Sequence, residues 1–200
     1  MAEAARHLHV VLVRHGATDW SQTGRHTGWT DPALNDNGVR QAAALPAPLS
    51  RWTFDAARCS TLQRARMTCE LAGLAGNAEF DPDLREWNYG DYEGLTSAEI
   101  HEQRPGWNLW GDGVPNGESL AQVAERADRV IARLRDAGGE IVVFAHGHLL
   151  RVLTARWLAQ PPRLGEYLHL FTAAISELDH QQGRSSLVAW NNTEHLRAPG

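Results

Sequence analysis

Short apolar runs rich in β-branched residues predict the strands of this chain. The two clearest are HVVLV at residues 9–13 and EIVVFA at residues 140–145, and neither alternates with polar residues. Continuous apolar strands are expected where helices cover both faces of a sheet. Further strands are predicted over residues 54–60, 173–180 and 185–190, with a hairpin between the last two across Gln181 to Arg184.

Helices are predicted where apolar residues recur at steps of three and four, or where helix formers follow a capping residue. The clearest covers residues 118–137. Its arginines alternate with acids, which predicts a solvent-exposed face formed by Arg126, Arg129, Arg133 and Arg135. The helix over 61–73 has Ser60 as its expected N-cap. Other helices are predicted over residues 36–45, 96–103 and 146–159.

The alternation of strands with helices predicts the fold class. We expect a three-layer α/β/α sandwich around a mostly parallel central sheet. The chain contains no internal repeat, low-complexity tract or linker, so a single domain is predicted over residues 1–200.

Composition and charge narrow the choice of partners. A net charge of -5 and a pI near 6.0 argue against a nucleic-acid or membrane-surface partner. Cys59 and Cys69 form neither a disulfide framework nor a metal-binding spacing. The first ten residues lack the apolar core of a signal peptide, and no apolar run approaches the length of a membrane span. We therefore expect a cytoplasmic protein, and a homodimer is compatible with its sequence.

Histidines follow two of the predicted strands directly. VVLV is followed by Arg14-His15-Gly16, and VVFA by His146-Gly147-His148. Ligands of an open α/β sheet bind beyond the carboxyl ends of its strands. Glycines there let backbone amides approach a ligand, and the helix that begins after His146 adds a positive end. Either histidine alone is typical of an ordinary turn, but the pair at matching positions predicts an anion site.

Five segments extend this pattern along the chain: LVRHGATDW (12–20), STLQRA (60–65), LREWNYGDYEG (84–94), PNGESL (115–120) and FAHGHLLRVL (144–153). In this order they resemble the motifs of the histidine phosphatase superfamily, which includes the cofactor-dependent phosphoglycerate mutases. The resemblance implies a phosphoglycerate mutase-like fold. It also implies a reaction on a small phosphate ester that needs neither a metal ion nor a cofactor.

The resemblance assigns His15 as the nucleophile, because a neutral imidazole can attack phosphorus and form a phosphohistidine. A backbone carbonyl is expected to hold its other nitrogen and fix the tautomer. Arg14, Arg64 and His146 are expected to bind the phosphate oxygens. Glu86 takes the role of the general acid and base, with a pKa raised by burial or by the phosphate.

Two alternatives concern these residues. Glu86 without its motif context is typical of a salt-bridge partner for Arg85. The H-x-H pattern of His146 and His148, together with His15, could chelate a metal ion, although no matching carboxylate or cysteine pattern accompanies it.

The loop WSQTGRHTGW supplies further candidates at positions where family members contact substrate. Ser21, Thr27 and Gly28 are expected to bind substrate, and Arg25 or His26 to line the entrance. The alternative is a flexible surface loop with incidental contacts. His148 stands where relatives often have glycine and is interpreted as a residue that supports the site from behind or lines its entrance, not as a nucleophile.

The sequence favours no catalytic role for the tryptophans and the remaining histidines. Five tryptophans are expected near the mouth of the site: Trp20, Trp29, Trp87, Trp107 and Trp110. They either shape a pocket for a small organic phosphate or only pack against neighbouring side chains, and packing is the favoured interpretation. No role is assigned to His7, His9, His101, His169, His180 and His195.

Departures from the mutase pattern favour hydrolysis. Ser21 replaces the asparagine of the mutases, and the region between Gly94 and Gly117 lacks their paired arginines. Ala17 stands where the family usually has Glu or Gln, which is expected to affect substrate fit more than chemistry. The loop resembles that of phosphatases acting on sugar phosphates or on a broad range of small phosphomonoesters. A phosphoglycerate mutase and a catalytically silent binding protein remain as alternatives.

Overall fold

A computed structural model describes residues 7–197 of the chain. One sheet contains β1 (Leu8–Arg14), β2 (Ala56–Ser60), β3 (Ala78–Asp81), β4 (Gly139–Ala145), β5 (Ile175–Gln181) and β6 (Arg184–Asn192). The strand order is β3-β2-β4-β1-β5-β6. The first four strands in this order are parallel; β5 then pairs antiparallel with β1, and β6 pairs antiparallel with β5. The predicted, mostly parallel sheet is confirmed.

The helices are α1 (Asp19–Gln22), α2 (Asp36–Ala43), α3 (Pro46–Leu49), α4 (Gln63–Leu71), α5 (Ser97–Gln103), α6 (Leu109–Asp112), α7 (Leu120–Ala137) and α8 (Gly147–Trp157). Short 3₁₀ turns lie at Ala75–Asn77, Pro82–Leu84, Gly90–Tyr92, Pro162–Tyr167 and Glu194–Leu196. The predicted helices are all present, and their ends differ from the predicted ones by at most two residues.

The apolar side chains of the central strands point alternately to two cores. Val10 and Leu12 of β1 pack with α7 and α8 on one face of the sheet. Val11 and Val13 pack with α3 and α4 on the other face. Both faces are therefore covered, which explains why β1 shows no polar alternation. This arrangement confirms the three-layer α/β/α sandwich.

The register of β1 against β4 positions the histidines. The two strands are parallel neighbours, and Arg14 pairs with Ala145 at their carboxyl ends. The backbone N–H of His15 donates to the Ala145 carbonyl at 3.0 Å. Consequently the residues that follow the two strands, His15 and His146, lie side by side at the carboxyl ends of the central strands.

Some elements were not predicted from the sequence. β3 has the sequence AEFD, in which no residue is fully buried, because it forms an edge of the sheet. The short helix α3 begins with Pro46 and has no side-chain cap. Ser60 does not cap α4 as expected, because the N-cap position is Leu62.

Arg126 corrects the prediction of a solvent-exposed arginine face on α7. Arg126 is only 8% exposed. Its guanidinium forms a bidentate ion pair with Glu118, at 2.7 and 2.8 Å. It also donates to the carbonyls of Asp83, Arg85 and Glu86. Arg126 is therefore the link between α7 and the segment that carries Glu86.

Replacing Arg126 by alanine is expected to lower the free energy of unfolding by about 3 kcal/mol, because the largely buried Glu118 carboxylate would lose its counter-ion and three backbone carbonyls would lose a donor. Arg129 is the matched control: it pairs with Asp83 on the same helix, but its side chain is 53% exposed. Arg129→Ala should cost less than about 1 kcal/mol. Urea unfolding of both variants measures the difference, and equal losses would contradict this assignment.

No helix within residues 7–197 is long and apolar enough to cross a membrane. Residues 1–6, which belong to the N-terminal stretch predicted to lack a targeting signal, lie outside the described part of the chain.

Candidate active site

A cavity of about 440 Å³ opens at the carboxyl ends of β1 and β4. Arg14 and His15 lie at its base, and Glu86, Gly147 and His148 form one wall. Aromatic and polar residues of the loops and of α8 complete the lining, among them Arg25, His26, Tyr89, Trp107, Trp110 and Arg151. The sequence predicts the ligand at these carboxyl ends of the strands.

His15 is buried, with 3% of its surface exposed. Its Nδ1 lies 2.7 Å from the Gly16 carbonyl oxygen, as the expected tautomer requires. A carbonyl can only accept a hydrogen bond, so Nδ1 carries the proton and Nε2 keeps a free lone pair. Burial, reinforced by the positive charges of Arg64 and Arg14, holds the pKa of His15 well below its usual value. His15 is therefore a neutral imidazole near pH 7.

His146 lies beside His15, with 5.1 Å between the ring centroids. It is fully buried, and its Nε2 lies 2.7 Å from the Ser60 hydroxyl oxygen. Burial and the charge of Arg64 keep its pKa well below the usual value. Its Nδ1 has no hydrogen-bond partner among the described residues.

Arg14 and Arg64 place two guanidinium groups around these imidazoles. Arg14 donates through Nη1 to the Leu170 carbonyl at 2.5 Å. Arg64 has no exposed surface and donates to the carbonyls of Thr27, Gly28 and Thr30. The Nε of each arginine is buried without a partner within residues 7–197.

Buried nitrogens without partners lie on residues close to His15, although Arg64 and His146 are outside the cavity lining. Arg14 Nε, Arg64 Nε and His146 Nδ1 are buried nitrogens for which the described chain offers no acceptor. A buried donor without a partner costs about 1–3 kcal/mol, so such groups are rare in folded proteins. An anion placed against His15 could accept from these nitrogens. The arrangement is suited to a phosphoryl group.

Glu86 closes the other side of the cavity and is 5% exposed. Its Oε1 accepts from the backbone N–H groups of Trp87 and Leu149, at 3.0 and 2.8 Å. Its Oε2 accepts from the N–H of His148 at 3.0 Å. The carboxyl group therefore satisfies two of the free amides at the start of α8, where His146 provides no side-chain cap. No ion pair joins Glu86 to Arg85 in the described region, so the salt-bridge alternative is not realised there.

Comparison with known proteins then decides the family. Residues 10–193 match the model of the histidine phosphatase superfamily, branch 1. The chain belongs to the histidine phosphatase superfamily. The predicted family and the phosphoglycerate mutase-like fold are both confirmed.

Relatives of this histidine phosphatase include enzymes with different names. It is 38% identical over 194 residues to an acid phosphatase of Mycobacterium tuberculosis, and the match covers 95% of each chain. Its fold is similar to that of a mycobacterial glucosyl-3-phosphoglycerate phosphatase, with a TM-score of 0.85 and 30% identity over 94% of this chain and 100% of the other. It is also 36% identical over 165 residues to a 2,3-bisphosphoglycerate-dependent phosphoglycerate mutase of Methylobacterium radiotolerans, covering 72% and 76% of the two chains.

The loop residues predicted to contact substrate occupy different places in this histidine phosphatase. Ser21 and Thr27 line the cavity. The Ser21 hydroxyl also donates to the Thr18 carbonyl in the capping box of α1. Gly28 lies outside the lining and contacts Arg64 through its carbonyl. The loop is thus tied to the site mainly through its backbone.

Arg25, His26 and His148 all line the cavity. Arg25 is tethered to the Gly94 carbonyl at 2.5 Å and to Glu99 at 3.3 Å. His26 Nδ1 lies 2.8 Å from the Leu95 carbonyl oxygen. His148 Nδ1 lies 2.6 Å from the Tyr89 hydroxyl, which fixes the orientation of its ring. Burial lowers the pKa of His26 and, more strongly, that of His148.

The tryptophans near the mouth divide into two groups. Trp87, Trp107 and Trp110 are buried in the apolar core, which agrees with the favoured packing interpretation. Trp107 and Trp110 nevertheless also line the cavity. Trp29 is 45% exposed, and its Nε1 donates to the Glu86 carbonyl at 3.1 Å.

Sequence reasoning missed several residues at the site. Arg151 lines the cavity, and its guanidinium lies 4.8 Å from the Trp110 ring centroid. It belongs to the segment FAHGHLLRVL and lies one helical turn after His148 on α8, a spacing that could have revealed it. His101 and His169, which were given no role, also line the cavity.

The chelating alternative finds no support in the geometry of the histidines. No group of three histidine, cysteine, aspartate or glutamate side chains suited to a metal ion occurs between His7 and Arg197. His146 Nε2 and His148 Nδ1 instead lie against hydroxyl groups of Ser60 and Tyr89.

Proposed function

We propose that this chain is a phosphatase that hydrolyses small phosphomonoesters through a phosphohistidine formed on Nε2 of His15. The observation that carries this proposal is a set of buried nitrogens without partners on residues close to His15: Arg14 Nε, Arg64 Nε and His146 Nδ1. Planar guanidinium groups suit phosphate oxygens, and their charge supports the negative charge that builds on the oxygens during transfer. These residues are proposed to bind the phosphoryl group.

The reaction takes two steps. The Nε2 lone pair of His15 forms a bond to phosphorus while the bond from phosphorus to the ester oxygen breaks. Glu86 gives a proton to the departing oxygen. Water then attacks the phosphohistidine and transfers a proton to Glu86, which releases inorganic phosphate and restores His15.

Glu86 is suited to both proton transfers by its contacts. Oε1 accepts two backbone N–H groups, whereas Oε2 accepts only one and retains a lone pair for a proton. The backbone donors hold the group at the cavity wall in both steps.

The cavity favours small organic esters. Its volume of about 440 Å³ accommodates a phosphoryl group and a small alcohol. Trp107, Trp110 and Tyr89 offer aromatic surfaces, and Asn108 and Ser97 offer polar groups. We infer sugar phosphates or similar metabolites as substrates, with Ser21 and Thr27 on the substrate side; Gly28, predicted with them, lies outside the cavity lining. The reaction is proposed to need no metal ion, and the two free cysteines support action in the cytoplasm.

The proposed function is tested by measuring phosphate release without added metal, between about pH 5 and 7. The panel contains sugar phosphates, phosphoglycerates, nucleotides and an aryl phosphate. We expect release from small esters. No release from any ester would revive a catalytically silent role, and interconversion of 2- and 3-phosphoglycerate faster than phosphate release would indicate a mutase.

Glu86→Gln is expected to lower the turnover of alkyl phosphates by about 10²-fold or more, because their leaving oxygen needs a proton. Activated aryl phosphates need little protonation, so their turnover should fall less than about tenfold. Steady-state rates on both ester classes provide the measurement. Glu125→Gln, an exposed residue of α7, serves as the control. Equal loss on both ester classes would exclude the acid role.

A further inference from the structure

Glu93 is a carboxylate near the site that the proposed reaction does not use. It accepts hydrogen bonds from the backbone N–H groups of Gly28, Trp29 and Thr30, at 3.1, 2.9 and 3.3 Å. The N–H of Tyr89 adds a further contact at 3.3 Å. One side chain therefore holds three consecutive amides of the loop over residues 27–30.

The same loop holds Arg64 from its other side. Arg64 Nη2 donates to the carbonyls of Thr27 and Gly28, at 3.1 and 2.8 Å. Arg64 Nη1 donates to the Thr30 carbonyl at 3.0 Å. These bonds use Nη1 and Nη2 and leave Nε, the buried nitrogen without a partner, for a ligand.

Two peptide groups each form hydrogen bonds to both Arg64 and Glu93 and so connect the two side chains. The peptide between Thr27 and Gly28 accepts from Arg64 through its C=O and donates to Glu93 through its N–H. The peptide between Gly28 and Trp29 does the same. Hydrogen bonds in such chains polarise one another, so the carboxylate strengthens the carbonyls as acceptors for the guanidinium.

We propose that Glu93 is a positioning residue for Arg64 and acts as its counter-ion through these two peptides without touching it. This inference rests on the proposed function. A carboxylate bound directly to Arg64 would compete with the phosphoryl group for the guanidinium, whereas one acting through peptides leaves Nε free. The direct acidic contact in the described region is a longer one, from Arg64 Nη1 to Asp31 at 3.4 Å.

The packing around Gly28 fits this role. A Cβ placed on Gly28 would lie 2.0 Å from Glu93 Oε1 and 2.4 Å from the Trp87 carbonyl oxygen. Because both atoms belong to rigidly held groups, only glycine lets the loop approach the carboxylate this closely. The role of Gly28 is then to transmit the contact rather than to touch substrate.

The test is a double-mutant cycle on the affinity for inorganic phosphate, measured by titration calorimetry. The cycle compares the wild type with Glu93→Gln, Arg64→Ala and the double variant. Glu93→Gln keeps the shape of the side chain but removes its charge. We expect it to weaken phosphate binding by about tenfold in the wild-type background and less than about twofold when Arg64 is absent. Equal weakening in both backgrounds would overturn the proposal.

Further variants guard against a purely structural effect. Glu93→Asp keeps the charge and should weaken phosphate binding less than Glu93→Gln does; the reverse order would also contradict the proposal. If Glu93→Gln does not fold, the cycle is run with Glu93→Asp, whose shorter side chain moves the carboxylate away from the loop; its smaller weakening must also disappear when Arg64 is absent, and an unchanged weakening would overturn the proposal. Asp128→Asn breaks the ion pair between Asp128 of α7 and Arg156 of α8 and should leave phosphate affinity unchanged.

Phosphate binding is measured without turnover, so the two proposals fail separately. A wild-type protein that binds phosphate but releases none from any ester would refute the proposed function. The coupling between Glu93 and Arg64 would still be decided by the cycle.

Discussion

Replacing His15 by alanine is expected to reduce phosphate release by about 10⁴-fold or more, because no nucleophile remains. The neighbouring imidazole cannot substitute for it. His146 Nε2 lies against the Ser60 hydroxyl, and its Nδ1 is proposed to donate to the phosphoryl group rather than attack it. The measurement is steady-state turnover of an aryl phosphate, which requires little help from Glu86 and therefore isolates the attack step.

His7→Ala is the control for the loss of His15. His7 lies outside the cavity and contacts Asp179, so its replacement should leave turnover within about twofold of the wild type. The His15→Ala variant should still bind phosphate, since Arg14, Arg64 and His146 remain. Turnover of His15→Ala within about tenfold of the wild type would exclude His15 as the nucleophile.

Arg64→Ala is expected to lower turnover by about 10² to 10³-fold, by analogy with the loss of a donor to a developing oxyanion. Arg64 is fully buried and leaves its Nε unpaired, so its removal eliminates a charge and a donor from the phosphoryl site. Arg64→Lys should recover little of this loss. A lysine cannot donate to several carbonyls and to the phosphoryl group in the geometry of the guanidinium.

The matched control lies on the same helix. Arg66 of α4 is exposed and packs over the Phe80 ring at 5.0 Å, away from the cavity. Arg66→Ala should change turnover by less than about twofold. A loss below about tenfold for Arg64→Ala, or an equal loss for Arg66→Ala, would mean that Arg64 does not act on the phosphoryl group.

The sequence predicts the central part of the fold well, since the residues of β1 and β4 can only be buried on both faces. Their parallel pairing then brings His15 and His146 together, as the pattern of strand ends predicts. β3 could not be predicted, because its four residues, AEFD, form no apolar run and are too few for their alternation to identify a strand. Edge strands depend on backbone pairing with a neighbour, and the sequence pattern does not report this pairing.

The candidate site was predicted through residue types that contact the ligand, and its supporting contacts were missed. Ser60 has the features of an N-cap, but its hydroxyl lies against His146 across the sheet. Arg126 lies in a charged pattern typical of an exposed helix face, but its guanidinium is buried against Glu118. Such contacts depend on which distant segment packs nearby, and local spacing carries no signal for them.

The central claim is that Nε2 of His15 carries the phosphoryl group during turnover. Its most direct test is to mix enzyme with an aryl phosphate, stop the reaction with alkali, and locate the phosphoryl group by mass spectrometry. We predict a phosphohistidine at His15, lost on treatment with acid and absent from His15→Ala. A phosphoryl group found on another residue, or steady turnover with none trapped on His15, would contradict the mechanism.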